Sequence, residues 1–304
     1  MTRLLTRANV ASLLTLEECL PAVEEAFRGD PSAAKSLGLH AAAGTFHIKA
    51  AMGGVFAAKI NANFPGDPSH PTIQGVIVLM DLERGTPLAI LDSALITTLR
   101  TAAATAVAAR HLARADAATL TIVGCGVLGR ATLEALRLVR PLREVWAWDA
   151  DRAAAERLAR VPGSLDEAIA GSDLVVTCTT SRSPILDAHH LHPGLFIAAV
   201  GADNPQKQEL APPVLAQSKV VVDVLEQAAT MGDLHHALQA GAMTRDDVHG
   251  ELGDVLRGRV PGRQRDDEVF VFDSTGTALQ DVAVASLAYA RAMERGVGLD
   301  IAFA

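Results

Sequence analysis

The run Thr119-Leu120-Thr121-Ile122-Val123-Gly124-Cys125-Gly126-Val127-Leu128-Gly129 constrains this chain more than any other stretch. Leu120 to Val123 reads as a short buried strand. A G-x-G-x-x-G loop follows at once, and Arg130 to Arg140 continues as a helix-like segment. In a strand–loop–helix of this kind each glycine has its own reason. Gly124 makes the tight turn, Gly126 lets a pyrophosphate approach the backbone, and Gly129 lets helix and strand pack closely. The N–H groups of the loop, Val127 and Leu128 included, and the positive end of the helix then hold the phosphates. A second strand-like run, Glu144 to Trp148, ends in Asp149, twenty residues after Gly129. An acidic side chain at that place accepts hydrogen bonds from the ribose hydroxyls of NAD. It would repel a 2′-phosphate, so the spacing predicts NAD, with NADP admitted if Arg152 turns inward.

Beyond the loop the pattern alternates strand and helix, with strands at Asp173–Thr177, Leu195–Val200, Val220–Val224 and Glu268–Phe272. That alternation predicts an α/β fold, a Rossmann-type doubly wound parallel sheet. Before it the pattern differs. Leu13 to Phe27 reads as an amphipathic helix with Thr15 as N-cap and Glu18 three residues on. His47–Ala50, Val55–Asn63, Thr72–Met80 and Pro87–Leu91 read as short strands, separated by turns at Met52-Gly53-Gly54, Pro65-Gly66-Asp67-Pro68 and Glu83-Arg84-Gly85. Such strands make an α+β N-terminal domain outside the parallel sheet. Thr97 to Ala113 is an alanine-rich helix with Arg100 in its first turn, and Leu279 to Arg295 is a closing helix. The expected division is a substrate-binding and dimerisation domain over residues 1–114, rejoined by 281–304, and a dinucleotide-binding domain over 115–280.

The formal net charge of −8 argues against nucleic acid or an anionic membrane as the main partner. The long apolar stretches are alanine-rich and broken by arginine, so no membrane span is expected. Cys19, Cys125 and Cys178 lie far apart without a C-x-x-C, a pattern of reducing compartments, and no signal peptide is apparent. The expected location is the cytoplasm.

Four further segments carry a resemblance. They are Ile96-Thr97-Thr98-Leu99-Arg100-Thr101-Ala102-Ala103-Ala104, the run from Val200 to Leu210, His249-Gly250-Glu251-Leu252, and Phe272-Asp273-Ser274-Thr275-Gly276. In order and spacing the chain from about Val55 onward resembles the ornithine cyclodeaminase/mu-crystallin family. The resemblance implies a homodimer formed through the N-terminal domain and chemistry at the α-carbon of a small amino or imino acid. It implies an NAD(P)-dependent imino-acid reductase or amino-acid dehydrogenase. The alternatives are an ornithine cyclodeaminase, or a ligand-binding protein of the mu-crystallin kind that keeps the cofactor.

Lys59 sits inside the apolar strand Phe56 to Asn63, where an unpaired cation is costly, so it points to an anionic ligand or partner. A solvent-facing edge-strand lysine is the plainer reading. Arg100 offers a bidentate fork to a carboxylate, assisted by a helix N-terminus, or else makes an ordinary salt bridge. The resemblance gives Lys59 and Arg100 the substrate carboxylate, with Arg100 also near the nicotinamide. It makes Asp203 the acid/base residue, lines the nicotinamide with Val200, Gly201 and Ala202, and sends Lys207 to the cofactor. Ala202 stands where the family often has a second glycine. Thr72, Thr179 and Ser274 match cofactor contacts, and Thr275 a substrate contact, although each suits a local turn equally well.

The segment from Lys35 to Lys49 should face the substrate, with His40 and His47 in it. Family members that close ornithine carry there an arginine for the carboxylate and a glutamate for the distal amine. Here no arginine occurs between Arg28 and Arg84, and the one acid between Pro31 and Met80 is Asp67. Lys35 or Lys49 would replace the arginine as a point charge. Phe46, Ile48 and Met52 suit a small or apolar substrate side chain. His189-His190-Leu191-His192 resembles a metal tract but has no carboxylate or cysteine at ligand spacing, and His235-His236 is similar, so no metal is expected.

Overall fold

A computed structural model of the chain describes residues 1–64, 69 and 71–302, apart from the side chain of His40. The turn expected at Pro65-Gly66-Asp67-Pro68, and Asp67 with it, lies outside the described residues. The chain forms two compact units, Met1–Arg100 with Thr277–Ala304, and Thr101–Gly276.

The first unit opens with β1 (Thr2–Leu5), α1 (Arg7–Leu13) and α2 (Leu16–Arg28). Strands β2 (Ala34–Ala41), β3 (Gly44–Met52), β4 (Phe56–Asn63), β5 (Ile73–Met80) and β6 (Pro87–Asp92) follow, and then α3 (Ser93–Leu112). The helix expected at Leu13–Phe27 is α2, which starts after Thr15 as its N-cap with Glu18 accepting the Thr15 amide, while α1 before it was not expected. Helix α3 starts at Ser93, its entry held by the Asp92 carboxylate on the Ala94 amide. Arg100 therefore lies beyond the first turn, where the helix dipole has faded, and that part of the expectation is corrected.

The second unit runs β7 (Thr119–Val123), α4 (Val127–Arg137), β8 (Glu144–Trp148), α5 (Arg152–Leu158), α6 (Leu165–Ala170) and β9 (Leu174–Thr177). It continues with β10 (Arg182–Leu186), β11 (Phe196–Ala199), β12 (Gln208–Leu210), α7 (Pro212–Ala216), β13 (Lys219–Val222), α8 (Leu225–Ala228) and α9 (Asp233–Gln239). It ends in β14 (Gly250–Glu251), α10 (Leu252–Leu256) and β15 (Phe270–Asp273). The chain then returns to the first unit through α11 (Ala278–Arg295) and β16 (Leu299–Ile301).

The second unit holds a seven-stranded sheet in the order β14-β13-β15-β11-β9-β7-β8, every pair parallel. It is a doubly wound sheet whose order reverses between β7 and β9, the place where ligands bind in this architecture. The central strands β9, β11 and β15 are buried along their whole length, which explains their unbroken apolar runs. The C-terminal carbonyls of α3 are not left bare. The Arg140 guanidinium donates to Ala109, Arg110 and Ala113, and Arg263 donates to Leu112.

The first unit has a sheet ordered β16-β1-β6-β5-β4-β3-β2, antiparallel except for β1 with β6. Alternation gives it two unlike faces. Ala51, Ala57, Ile77, Leu79 and Leu91 are buried on one, which α11 covers at β3 and β4 while packing also on α2. On the other face Leu37, Ile48, Ile60 and Val76 form one cross-strand row. Leu37 is 53% exposed, Ile60 43% and Val76 41%, so this row is apolar surface open to water. Among the described residues no helix is long and apolar enough to cross a membrane.

Candidate active site

Lys59 stands on β4 between β3 and β5, not on an edge, and its side chain is 3% exposed. Its ammonium donates to the carboxylate of Asp281 on α11 at 2.8 Å, with Thr97 Oγ1 at 3.4 Å. Arg100 Nε lies 3.1 Å from the same carboxylate, and Nη1 donates to Gln280 Oε1 at 2.8 Å. Two buried cations thus converge on one buried carboxylate. Burial pushes the Lys59 ammonium down to about 7, opposed by Asp281 and reinforced by Arg100 and Lys49. Burial also raises the Asp281 carboxyl, but Lys59 and Arg100 outweigh it and hold Asp281 below its ordinary value. Sequence reasoning missed Asp281. The trace it left was a single acid inside the apolar helical run Ala278 to Ala285.

The register decides between the two other lysines. Lys49 lies directly across from Lys59 and is buried on the same face. Lys35 pairs with Ala50, so it points from the opposite face into solvent, and the structure does not bring it to the cluster. Phe46, Ile48 and Met52 alternate with Lys49 and also face away from Lys59. His47 shares the Lys59 face, with Nε2 3.0 Å from Thr45 Oγ1. Beside Lys59, Asn61 accepts from Ser93 Oγ at 2.6 Å.

In the second unit the three glycines of the loop have three distinct surroundings. Gly124 has φ +101°, and a Cβ there would meet the Cys178 carbonyl oxygen at 2.8 Å. A Cβ on Gly129 would strike the Gly124 carbonyl, so α4 packs on the end of β7 only without a side chain. At Gly126 a Cβ would meet nothing within 4 Å. Gly126 is the N-cap of α4 without a side-chain cap, and Val127 beyond it is 75% exposed. Open space in front of uncapped helix amides fits a pyrophosphate. The Asp149 carboxylate accepts the Cys125 amide at 2.6 Å and the Asp151 amide at 2.9 Å, which fixes it beside the loop. Arg152 is engaged by Glu156 at 2.9 Å rather than turned toward Asp149.

The neighbouring strand ends are tied by buried carboxylates. Glu209, fully buried, accepts from the Thr179 amide at 2.6 Å, the Gly201 amide at 2.9 Å and Thr177 Oγ1 at 2.9 Å. Asp233 Oδ1 accepts the amides of Glu209 and Leu210, both at 2.8 Å, and Asp273 accepts the Leu234 amide at 2.8 Å. Burial raises the carboxyls of Glu209 and Asp273 and pushes Asp233 up to about 7, with Glu209 as the second cause there. Asp203, in the loop after β11, is partly exposed and bonds Lys207 Nζ at 2.8 Å. That ammonium also donates to the Gly201 carbonyl at 3.2 Å. Val200 and Ala202 are buried on either side of Gly201. Asp223 accepts from Ser274 Oγ at 3.2 Å and Thr275 Oγ1 at 3.1 Å, and Gln227 donates to Thr275 as well. Both hydroxyls are buried and engaged inside this unit. Thr72, in the first unit, is exposed just before β5, its carbonyl accepting the Phe64 amide.

The histidine tract has a carboxylate after all, brought from outside it by the fold. Asp166 Oδ1 lies 2.8 Å from His190 Nε2 and 3.5 Å from His189 Nε2. His190 Nδ1 lies 2.9 Å from the Asp187 amide and 3.2 Å from the Asp187 carbonyl, and through Asp166 the ring joins its turn to α6. Ligand atoms of Asp166, His189 and His190 lie within 4.8 Å of one another, a grouping the sequence expectation did not include.

The sequence profile described as the ornithine cyclodeaminase/mu-crystallin family matches residues 1–296. An alanine dehydrogenase of Archaeoglobus fulgidus is 38% identical, over 99% of this chain and 98% of its own. A solved archaeal alanine dehydrogenase dimer with bound NAD superposes with a TM-score of 0.95 at 37% identity, covering 100% of this chain and 99% of that one. The Δ1-pyrroline-2-carboxylate reductase of Thermococcus litoralis, solved with NADH and L-proline, superposes with a TM-score of 0.94 at 28% identity, covering 99% and 100%.

Proposed function

The chain belongs to the ornithine cyclodeaminase/mu-crystallin family, and on that footing we propose that it is a nicotinamide-dependent oxidoreductase working at the α-carbon of a small amino or imino acid. The observation that carries this reading is the convergence of Lys59 and Arg100 in a buried, cation-rich cluster, in a chain that also holds an open dinucleotide loop at Gly126. Lys59 and Arg100 bind the substrate carboxylate and so fix the α-carbon, where orientation rather than raw affinity lowers the barrier. NADH supplies the hydride when bound, and Asp149 selects it over NADPH. In the reductive direction Asp203, supported by Lys207, provides the proton that the imine nitrogen must gain. The balance is imino acid, NADH and one proton giving amino acid and NAD. Pyruvate and ammonia first condense to the imine with loss of water, and the same step then gives alanine.

Ornithine fits poorly. A buried distal ammonium needs its own carboxylate, and Asp281 is already engaged by two cations. The test follows NADH absorbance with pyruvate plus ammonia and with Δ1-pyrroline-2-carboxylate, with ornithine and NAD run in parallel. Oxidation of NADH by an imine without proline from ornithine is expected. Tight NADH binding with no turnover on any imine would overturn the reading in favour of a ligand-binding protein.

We also propose that the chain works as a homodimer joined through the open face of the first unit's sheet. The row Leu37, Ile48, Ile60 and Val76 is self-complementary in chemistry, and a second copy would remove it from water.

A further inference from the structure

Asp281 raises a question about the carboxylate clamp, because both cations that would take the substrate already hold a carboxylate of the protein. The charged groups facing Lys59 are Lys49 from β3, Arg100 from α3 and Asp281 from α11, while β5 presents Ile77. Asp281 is the one anion among these described residues, and it is 2% exposed. Both its oxygens are within 2.8 Å of the Lys59 nitrogen. Next to it on α11, Gln280 accepts from Arg100 Nη1 through its Oε1. Its Nε2 remains a buried donor without an acceptor.

We propose that Asp281 is the positioning residue of the clamp: it favours the ammonium form of Lys59 and orients Arg100, so that the pair admits a substrate carboxylate. The proposal deepens the reading of Lys59 and Arg100 as a carboxylate clamp and rests on it. Without Asp281 the ammonium would face burial, Arg100 and Lys49 with no opposing charge, and would give up its proton at a pH below the value of about 7 that it has with Asp281. The neutral amine then offers a carboxylate no charge. With Asp281 present the three cations of the cluster still outnumber its one anion, which favours a further carboxylate, and the orphan Gln280 Nε2 is a donor suited to such an oxygen. Binding of the substrate is therefore tied to a proton that Asp281 keeps in place.

The chain has five lysines, so 13C labelling at lysine Cε gives a spectrum simple enough to titrate, with K59R identifying the Lys59 line. In D281N the Lys59 line is expected to titrate at least one pH unit lower than in wild type. In parallel, binding of pyrrole-2-carboxylate to the NADH-loaded protein is expected to lose its alkaline limb at correspondingly lower pH in D281N. The loss should be tenfold or more at pH 8 and small at pH 6, with D281E restoring most of the wild-type profile. K59R, with a side chain that stays charged, should bind without an alkaline limb, and K59R/D281N likewise; these variants keep the test open if D281N alone is unstable. A Lys59 line that titrates identically in wild type and D281N would overturn the role of Asp281. So would a loss in D281N that is uniform with pH. A shifted Lys59 line with no pyrrole-2-carboxylate binding in wild type would instead overturn the clamp reading.

Discussion

Glu209 fills the space that a side chain on Gly201 would need, while accepting the Gly201 amide. An added Cβ would stand 2.5 Å from Glu209 Oε1 and 2.6 Å from the Thr179 nitrogen. The carboxylate therefore joins the ends of β9 and β11, the two strands whose following loops carry Thr179 and Gly201.

Gly201→Ala cannot be accommodated by rotating a flexible side chain, since backbone of Thr179 is among the atoms struck. It should destabilise the second unit by about 1–3 kcal/mol and weaken NADH binding, both measurable by thermal unfolding and fluorescence titration. Wild-type affinity in this variant would show that these loops do not set the cofactor site.

Asp149 is held beside the glycine loop by two backbone amides, and Arg152 is engaged elsewhere. Asp149→Ser removes the repulsion of a 2′-phosphate without filling the space. The ratio of kcat/KM for NADH over NADPH should fall tenfold or more, corresponding to about 1.4 kcal/mol or more. An unchanged ratio would remove Asp149 from cofactor selection.

Asp233 gives a stability test with a definite sign. Its folded-state pKa of about 7 lies above the unfolded value of 3.8, so the folded protein binds the extra proton. The stability this contributes is complete below pH 3.8 and is lost as pH rises toward and through 7. Asn at this position keeps an acceptor for the Glu209 and Leu210 amides but cannot ionise. Relative to wild type, Asp233→Asn should therefore gain at least ~1 kcal/mol between pH 4.5 and pH 8 in urea unfolding. A difference that does not change with pH would mean that Asp233 is ionised throughout.

Ile60 lies in the middle of the open apolar row of the first unit's sheet. Ile60→Asp places a charge where the second copy is proposed to sit, and burying it unpaired costs several kcal/mol. Light scattering after size exclusion should report a dimer for wild type and a monomer for the variant. A dimer in both would exclude this face as the interface.

What was legible in the sequence follows from how each piece is stabilised. Strands β7, β9 and β11 are buried on both sides, so their apolar runs stand out, and the glycine loop carries its own chemistry. Strand β2 was missed because its large apolar residues, Leu37 and Leu39, face water among Ser36, Gly38 and His40. Strand β1 was missed because four residues acquire their strand identity only from β6 and from β16, far along the chain. At the site, the structure brings onto the Asp281 carboxylate both Lys59 and Arg100, which were singled out by type, surroundings and family resemblance. Asp281 was not, since 222 residues separate it from Lys59 and only the fold brings them together. Lys35 and Lys49 were indistinguishable until the register put them on opposite faces.

The return of α11 and β16 to the first unit has a consequence for the order in which the protein is made. Both segments follow the second unit in the chain. A ribosome therefore releases every strand and helix of the dinucleotide unit before the first unit receives the helix that covers β3 and β4. Until then Lys59 emerges from synthesis without its counter-charge, and α2 without the surface it packs on. Nascent chains should protect the glycine loop from proteases before the Lys59 strand, because Asp281 follows the whole of the second unit in the chain.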